Sequence, residues 1–261
     1  MTSALQSRRI LGVGLKMHLD HPTTLRWLED VRDQAGTHSA VLSGDVAVFV
    51  LPGFVSLVEA ARILDGSPIM LGAQDLAWAD SGAFTGEVSA VELAQIGCQF
   101  VEVGHAERRR HFHEDDATFS RKLDAAFRNS LVPVLCVGEE KHGSAAEAGA
   151  ICVAQLDAAL QLSRETGSIG ALVVGYEPVW AIGAPEPAPA EYIREVTHRI
   201  REALSSHVEL AGSRLIYGGS ASTGLLPTLG SSVDGLFLGR SSHDVGVLRQ
   251  VIDEAATVPM P

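Results

Sequence analysis

Eight short apolar segments recur along the chain, each followed by a stretch in which apolar residues return every three or four positions. The segments are nearly continuously apolar, which is typical of parallel strands buried on both faces. The stretches between them have the spacing of amphipathic helices, as in Leu25, Leu28, Val31 and Ala35. The pattern predicts strands at Ile10–Val13, Val46–Leu51, Ile69–Leu71, Phe100–Val103, Val132–Val137, Ala171–Tyr176, Arg214–Tyr217 and Gly235–Leu238.

Helix start signals lie between these strands. Pro22-Thr23-Thr24 precedes the first predicted helix, Asp115-Asp116-Ala117-Thr118 the fourth and Pro189-Ala190-Glu191 the sixth. Eight β/α units without a Pro- or Ser-rich linker favour an α/β protein with a single closed (β/α)8 barrel over residues 1–261. The alternative is an open Rossmann-like sheet. Its G-x-G-x-x-G signature is only half matched, by two glycines in the segment 12–17.

Composition and charge exclude several classes of protein. With 261 residues, 46% of them apolar, the chain has enough apolar material for a packed core, which excludes disorder. The chain has neither an apolar run of about 18 to 20 residues nor a secretory leader, so we expect a cytoplasmic protein with no membrane partner. Its net charge of −12 disfavours binding to nucleic acid. An anionic ligand therefore requires a local binding device.

The three cysteines, Cys98, Cys136 and Cys152, form no C-x-x-C pair. Their odd number and spacing indicate neither a disulfide framework nor a structural zinc site. Cys136 lies within an apolar strand segment, which is unfavourable for a catalytic thiol. We interpret all three as small buried apolar residues.

Three side chains just beyond the predicted strands form a set suited to proton transfer. Lys16 supplies a cation, His105 an acid or electrophile, and Glu177 a carboxylate whose burial favours a general base. Because the carboxyl ends of barrel strands share one rim, we expect the three to converge. Taken singly, each has a structural alternative: a surface lysine, a hydrogen-bonded histidine and an ion-paired carboxylate.

Two glycine-bearing turns after the last two strands predict a phosphate site. Tyr217-Gly218-Gly219-Ser220 ends the seventh strand and Leu238-Gly239-Arg240-Ser241 the eighth, the habitual phosphate position in such barrels. The segment Pro178–Pro189 follows Glu177 directly, with small residues between prolines. It is either a lid over the base or a rigid connector.

Several of these segments resemble the triosephosphate isomerase family, in order along the chain. The resemblance runs from about Ile10 to Leu248. Gly14-Leu15-Lys16-Met17 resembles the family's G-N-W-K-M, and residues 103–109 resemble V-G-H-S-E-R-R. Residues 176–183 match Y-E-P-V-W-A-I-G, residues 71–74 and 82–87 resemble the third loop, and Tyr217-Gly218-Gly219-Ser220 resembles the phosphate turn.

The resemblance implies a TIM barrel that isomerises a short sugar phosphate with neither metal nor organic cofactor. Glu177 would then be the base, His105 a neutral electrophile and Lys16 the cation, with Glu107 in a supporting role. Backbone and side-chain groups of five residues would contact the substrate or its phosphate: Gly14, Gly183, Ser220, Gly239 and Arg240. The loop Gln74–Glu87, which carries Leu76, Trp78 and Phe84, would dock into a second subunit, so we expect a homodimer.

Departures from the family pattern bear on the substrate. The family's asparagine is Gly14 here, its tryptophan is Leu15, its serine after the histidine is Ala106, and Arg240 replaces the second glycine of a pair. The lid tip is also changed, to Gly-Ala-Pro-Glu at 183–186. The smaller side chains leave more space in the site and Arg240 adds a positive charge, and both changes suit a larger anionic substrate. The resemblance to the family predicts that the enzyme interconverts dihydroxyacetone phosphate and glyceraldehyde 3-phosphate. The alternative is isomerisation of L-erythrulose 1-phosphate in tetritol breakdown.

Three other classes of function have some basis in the sequence. His105 with His111, His113 and Glu114 suggests a metal-dependent hydrolase, but the H-x-H pair lies beyond the strand end in a polar segment. The basic run 108–111 suggests nucleic acid; flanking acidic residues favour ion pairing instead. The altered Gly14 and Ala106 suggest a protein without catalysis, which the retained Lys16, His105 and Glu177 argue against.

Overall fold

The computed structural model describes residues 3–259, and its eight strands close into a parallel barrel in the order β1 to β8, with β8 paired to β1. All eight predicted strands are confirmed. β6 begins two residues later than predicted, and β3 is shifted toward its carboxyl end. The strands are β1 Arg9–Gly14, β2 Val46–Leu51, β3 Met70–Ala73, β4 Phe100–Val103, β5 Val132–Val137, β6 Val173–Tyr176, β7 Arg214–Tyr217 and β8 Gly235–Leu238.

Ten α-helices within residues 3–259 connect the strands. They are α1 His21–Asp30, α2 Ser39–Leu42, α3 Leu57–Leu64, α4 Ala90–Gln95, α5 Ala106–Phe112, α6 Asp116–Arg128, α7 Ala145–Thr166, α8 Ala190–Ser206, α9 Leu225–Leu229 and α10 Val245–Thr257. Short 3-10 turns and one π turn, Val31–Ala35, make up most of the remaining helical structure. None of the described helices is long and apolar enough to cross a membrane.

The helix start signals are confirmed with one shift. Asp115 caps α6 by accepting from the Thr118 N–H, and α8 begins at Ala190 after Pro189. α1 begins at His21, capped by Asp20, so Pro22 lies in its first turn rather than before it. Proline is favourable there because the first turn of a helix needs no donor from its nitrogen.

Three stacked or tilted phenylalanine rings fill the inside of the barrel below the rim formed by the carboxyl ends of the strands. Phe49 stacks on Phe100 with ring centroids 4.4 Å apart, and Phe237 lies 6.2 Å from Phe49. A Cβ at Gly12 would lie 2.3 Å from the Phe49 ring, so glycine at this position makes room for the ring. The rings form an apolar floor beneath the rim.

A buried ion network anchors the root of the loop Gln74–Glu87. The Nζ atom of Lys122 lies 2.7 Å from carboxylate oxygens of both Asp75 and Glu114, and Arg108 contacts the same two carboxylates. Arg109 pairs with Asp116 at 2.7 Å. These contacts confirm ion pairing for the basic run, since two of its three arginines are engaged by acidic side chains.

All three cysteines are buried and free of disulfide bonds. Burial raises the pKa of Cys98 to about 12, and burial together with the Glu177 and Glu102 carboxylates raises that of Cys136 well above its usual range. Cys136 therefore remains a thiol, which rules out a thiolate nucleophile at neutral pH and leaves one weak hydrogen-bond donor.

Candidate active site

Lys16 follows β1 in a backbone conformation that non-glycine residues rarely adopt, with φ of +50°. The Gln74 side-chain amide holds this turn by donating to the carbonyls of Lys16 at 3.0 Å and Leu51 at 2.9 Å. Strain of this kind persists only where neighbours fix it, and it collects at functional sites. The local structure thus points the Lys16 ammonium across the rim.

The Lys16 ammonium donates to Oε1 of Glu107 at 2.7 Å. Burial of Glu107 opposes ionisation, but the hydrogen bond from Lys16 and the nearby His105 outweigh it and hold the pKa of Glu107 below its ordinary value. Both side chains remain partly exposed. Glu107 therefore neutralises and positions the lysine without burying it.

His105 caps the amino end of α5 with its own ring. Its Nδ1 atom accepts from the Glu107 backbone N–H at 3.1 Å, and 6% of the residue is exposed. A nitrogen that accepts a hydrogen bond carries no proton, so the neutral ring has its proton on Nε2. This Nε2 atom faces Glu177 Oε2 at 3.4 Å.

Glu177 follows β6 and is 7% exposed. Its backbone N–H donates to Val137 at 2.8 Å, which fixes the residue at the rim. In the described part of the chain its Oε2 atom is buried and accepts no hydrogen bond. A buried carboxylate oxygen without a donor is costly, and it is free to take a proton from a ligand.

Two glycines make the position of Glu177 possible. A Cβ on Gly218 would lie 2.2 Å from Glu177 Oε1, and one on Gly138 would lie 1.9 Å from the Glu177 carbonyl oxygen. The sequence suggested Gly218 only as part of a phosphate turn. The structure shows that its missing side chain leaves space for the Glu177 carboxylate.

The predicted phosphate ligands lie at the ends of β6, β7 and β8. Among residues 3–259, the N–H groups of Gly183, Ser220 and Gly239 donate no hydrogen bond to another protein group. Gly183 has φ of +73° and Ser220 has φ of +51°. The Ser220 hydroxyl lies 2.9 and 2.8 Å from the carbonyls of Ala181 and Ala184, so its side chain holds the segment Pro178–Pro189.

Arg240 is exposed just after β8, and none of the ion pairs found within residues 3–259 includes it. His243 follows in the same turn and meets His18 edge to face, with ring centroids 5.7 Å apart. Burial lowers the pKa of His243, as do His18 and Arg240. The sequence argument missed both histidines, whose only signal was their closeness to the predicted rim segments.

The segment Pro178–Pro189 is tied down at both ends. The Trp180 indole donates to Oε1 of Glu139 at 2.7 Å, and the Ala188 N–H donates to the Tyr217 hydroxyl at 3.1 Å. Glu139 also accepts from Tyr192 at 2.9 Å. Glu139, just beyond β5, thus anchors the first turn of this segment.

Gly14 faces the barrel interior with space above the phenylalanine floor. A Cβ built there would meet only the Phe237 ring, at 3.4 Å and beyond. A cavity of about 590 Å³ opens on the other side of Glu177, lined among others by Gly104, Ala106 and Cys136. The smaller residues at positions 14 and 106 thus lie where the site has room.

Glu102 is the principal residue that sequence reasoning missed. It points into the barrel from β4, is 7% exposed, and accepts from the Cys136 thiol at 3.5 Å. Burial raises its pKa to about 7, against the attraction of His105. The signal was a lone acidic residue in the apolar strand Phe100–Val103.

The residues suggested for a metal site are spread along α5 and beyond it. His111 and His113 are exposed at the end of that helix, whereas Glu114 is engaged by Arg108 and Lys122. Within residues 3–259 no three His, Cys, Asp or Glu side chains are grouped as metal ligands would be.

Comparison with known proteins places this geometry in a family. The family model described as triosephosphate isomerase matches residues 9–255. The chain is 48% identical to the L-erythrulose-1-phosphate isomerase of Pectobacterium atrosepticum, over 97% of this chain and 98% of that protein. It is 39% identical to the triosephosphate isomerase of Moorella thermoacetica, over 91% and 94%.

A solved structure agrees with the sequence comparison. The crystal structure of triosephosphate isomerase from Bartonella henselae superimposes with a TM-score of 0.77 at 27% identity, covering 94% of this chain and 98% of that one. The matched region contains the barrel and the convergent Lys16, His105 and Glu177. The chain therefore belongs to the triosephosphate isomerase family of isomerases.

Proposed function

We propose that this enzyme isomerises a four-carbon ketose phosphate, L-erythrulose 1-phosphate. The observation that carries the proposal is the complete base and electrophile pair, Glu177 and His105, beside a site enlarged at Gly14 and Ala106. The relative from Pectobacterium atrosepticum, named for this reaction, matches nearly the whole chain and supports the assignment.

The position of the phosphate decides which carbons react. Carbon 1 of the substrate carries the phosphate ester and the carbonyl is at carbon 2, so an aldehyde cannot form at carbon 1. The proton that leaves must come from carbon 3, and the carbonyl moves from carbon 2 to carbon 3. The product is a ketose with its phosphate on carbon 4 once the chain is renumbered, so the reaction interconverts two ketoses.

In this reaction Glu177 removes the proton from carbon 3 and returns it to carbon 2. The His105 Nε2–H donates to the carbonyl oxygen, and the hydroxyl proton moves between the two oxygens through the ring. Lys16 stabilises the negative charge of the intermediate enediolate. Glu107 holds Lys16 and, through its N–H, fixes the proton position on His105.

The phosphate would bind to the N–H groups of Gly183, Ser220 and Gly239, since all three lack an acceptor among residues 3–259. Arg240 would add a charge-assisted contact at the turn after β8, where His18 and His243 meet edge to face. This local arrangement is how a chain of net charge −12 would hold a phosphate dianion.

The second candidate is the family's triose reaction, which uses the same groups and interconverts dihydroxyacetone phosphate and glyceraldehyde 3-phosphate. The test is to measure kcat/KM of the purified enzyme for L-erythrulose 1-phosphate and dihydroxyacetone phosphate. The proposal expects the four-carbon substrate to be preferred by at least about tenfold. A triose preference of orders of magnitude would overturn it and favour the second candidate.

We also propose a homodimer formed through the loop Gln74–Glu87. Phe84 is 40% exposed at its tip, and Met17, beside the catalytic lysine, is 97% exposed. Leu76 gives no support, contrary to the sequence argument, because it is 1% exposed in the chain's own core. Trp78 is partly covered by the Arg121 guanidinium, 4.4 Å above its ring.

A further inference from the structure

Glu102 is a buried carboxyl group that the reaction, as described, does not use. It shares the inside of the barrel with the apolar Phe49 and Phe100 rings, which cannot stabilise its charge. Its hydrogen bond within residues 3–259 comes from the Cys136 thiol, a weak donor. Such burial costs stability, which points to a function at the substrate site.

The surroundings of Glu102 place it next to the catalytic pair. Its ionisation is affected by His105, Glu177 and Lys16, and the Cys136 thiol lies between the carboxyl groups of Glu102 and Glu177. Gly104, just after β4, and Cys136 of β5 line the cavity of about 590 Å³ together with Glu177. Glu102 is thus hydrogen-bonded to a residue of the wall of a cavity that is open to a ligand.

The proposed substrate has one group that reaches this side of the site. Its phosphate lies at the turns after β6, β7 and β8, and carbon 3 lies against Glu177. Carbon 4, with its hydroxyl, must continue away from the phosphate. Cys136 lines the same cavity as Glu177, and its thiol donates to Glu102, so the Glu102 carboxyl group lies on this side of the site.

We propose that Glu102 is a substrate-binding residue that accepts a hydrogen bond from the carbon 4 hydroxyl of the tetrulose phosphate. The inference rests on the proposed function and deepens it, because a triose phosphate lacks the hydroxymethyl group that Glu102 would bind. A carboxyl group here selects the longer substrate, since it is left without this partner when the shorter one binds.

The experiment compares L-erythrulose 1-phosphate with its 4-deoxy analogue in the wild-type enzyme and in Glu102→Val and Glu102→Gln. Glu102→Val should lower kcat/KM for the full substrate by about 10- to 100-fold, the effect of losing a hydrogen bond to a charged group. It should change kcat/KM for the 4-deoxy analogue by less than about threefold. Glu102→Gln keeps an acceptor and should restore most of the loss. Thermal unfolding checks that both variants fold.

Equal losses on the two substrates would overturn the inference. A parallel loss with a shifted pH profile would show instead that Glu102 acts through Cys136 on the base Glu177. Failure of the proposed function looks different: the wild-type enzyme itself would not turn over L-erythrulose 1-phosphate while isomerising dihydroxyacetone phosphate. The inference would then fall with it, before any variant was compared.

Discussion

Oε2 of Glu177 lies 3.4 Å from Nε2 of His105, and within residues 3–259 that carboxylate oxygen is buried without a hydrogen-bond donor. The proposed base and the proton-bearing nitrogen are thus close enough to act on adjacent atoms of one bound substrate. A carbon-bound proton can meet the carboxylate while the neighbouring oxygen meets the imidazole. An oxygen without a protein donor is free to take a proton from a ligand, which is the property that the proposed mechanism requires of Glu177.

Replacement of Glu177 by glutamine should remove the base while preserving the shape of the site. We expect kcat to fall by about 10³-fold or more, consistent with the contribution of general base catalysis. Phosphate binding should persist, because Gly183, Ser220 and Gly239 are unchanged. Steady-state kinetics and inhibition by inorganic phosphate measure the two properties. An unchanged turnover rate would contradict the assignment of Glu177 as the base.

Replacement of Gly218 by alanine should displace the Glu177 carboxylate although no charged residue is replaced. The added Cβ would lie 2.2 Å from Glu177 Oε1, so the carboxylate must move. Since about 1 Å of misplacement is enough for a 100-fold effect, we expect a loss of about that size in kcat. Gly53→Ala is the matched control, because its Cβ would meet nothing within 4 Å and its φ is −65°. Similar kinetics for both variants would contradict the packing argument.

The barrel and the convergence of the three candidate side chains could be predicted from the sequence because both depend on local patterns. Each strand is a continuous apolar run, and Lys16, His105 and Glu177 directly follow three of them. The position of Glu102 at the site was not predicted because an acidic residue within a strand is ordinarily interpreted as facing solvent. Only closure of the barrel shows that its side chain points inward.

The contacts of the rim also depend on structure that the sequence does not display. Nothing local joins Glu139 to Trp180, 41 residues later, or His18 to His243 at the opposite end of the chain. These pairs form because β5 and β6, and likewise β1 and β8, are neighbours in the closed barrel. Leu76 was read as an exposed loop residue for the same reason, since its burial comes from long-range packing.

Replacement of Arg240 by glycine should weaken binding of the phosphate. Because Arg240 is exposed, its contribution is moderated by solvent, and we expect KM to rise by about 3- to 10-fold with kcat little changed. The effect should shrink at high salt, where charges are screened. Arg249→Gly is the control, an exposed arginine on α10. An identical KM for wild type and Arg240→Gly at low salt would contradict a role for Arg240 in binding.

Replacement of Phe84 by aspartate should disrupt the proposed dimer. The change puts a charge at the tip of the loop Gln74–Glu87, where burial against a partner would be costly. We expect wild type to sediment as a dimer at micromolar concentration and the variant as a monomer with reduced activity. Val208→Asp is the control, an apolar residue that is 88% exposed elsewhere on the surface. A stable, fully active wild-type monomer would contradict the dimer.

Glu102 should make the stability of the protein depend on pH. Burial raises its pKa from an ordinary 4.5 to about 7, so between these values the folded protein binds a proton that the unfolded chain has lost. The stabilisation of the folded state that comes from this bound proton is therefore fully present below about pH 4.5 and is lost as pH rises through about 7. From pH 5 to pH 8 the free energy of unfolding of wild type should fall by about 3 kcal/mol relative to that of Glu102→Gln.

Urea unfolding of both proteins at the two pH values measures this difference, with Glu195→Gln as an exposed control. Parallel pH dependence of wild type and Glu102→Gln would show that the carboxyl group is ionised in the folded enzyme at pH 5, in which case His105 and Lys16 attract it more strongly than burial disfavours its charge.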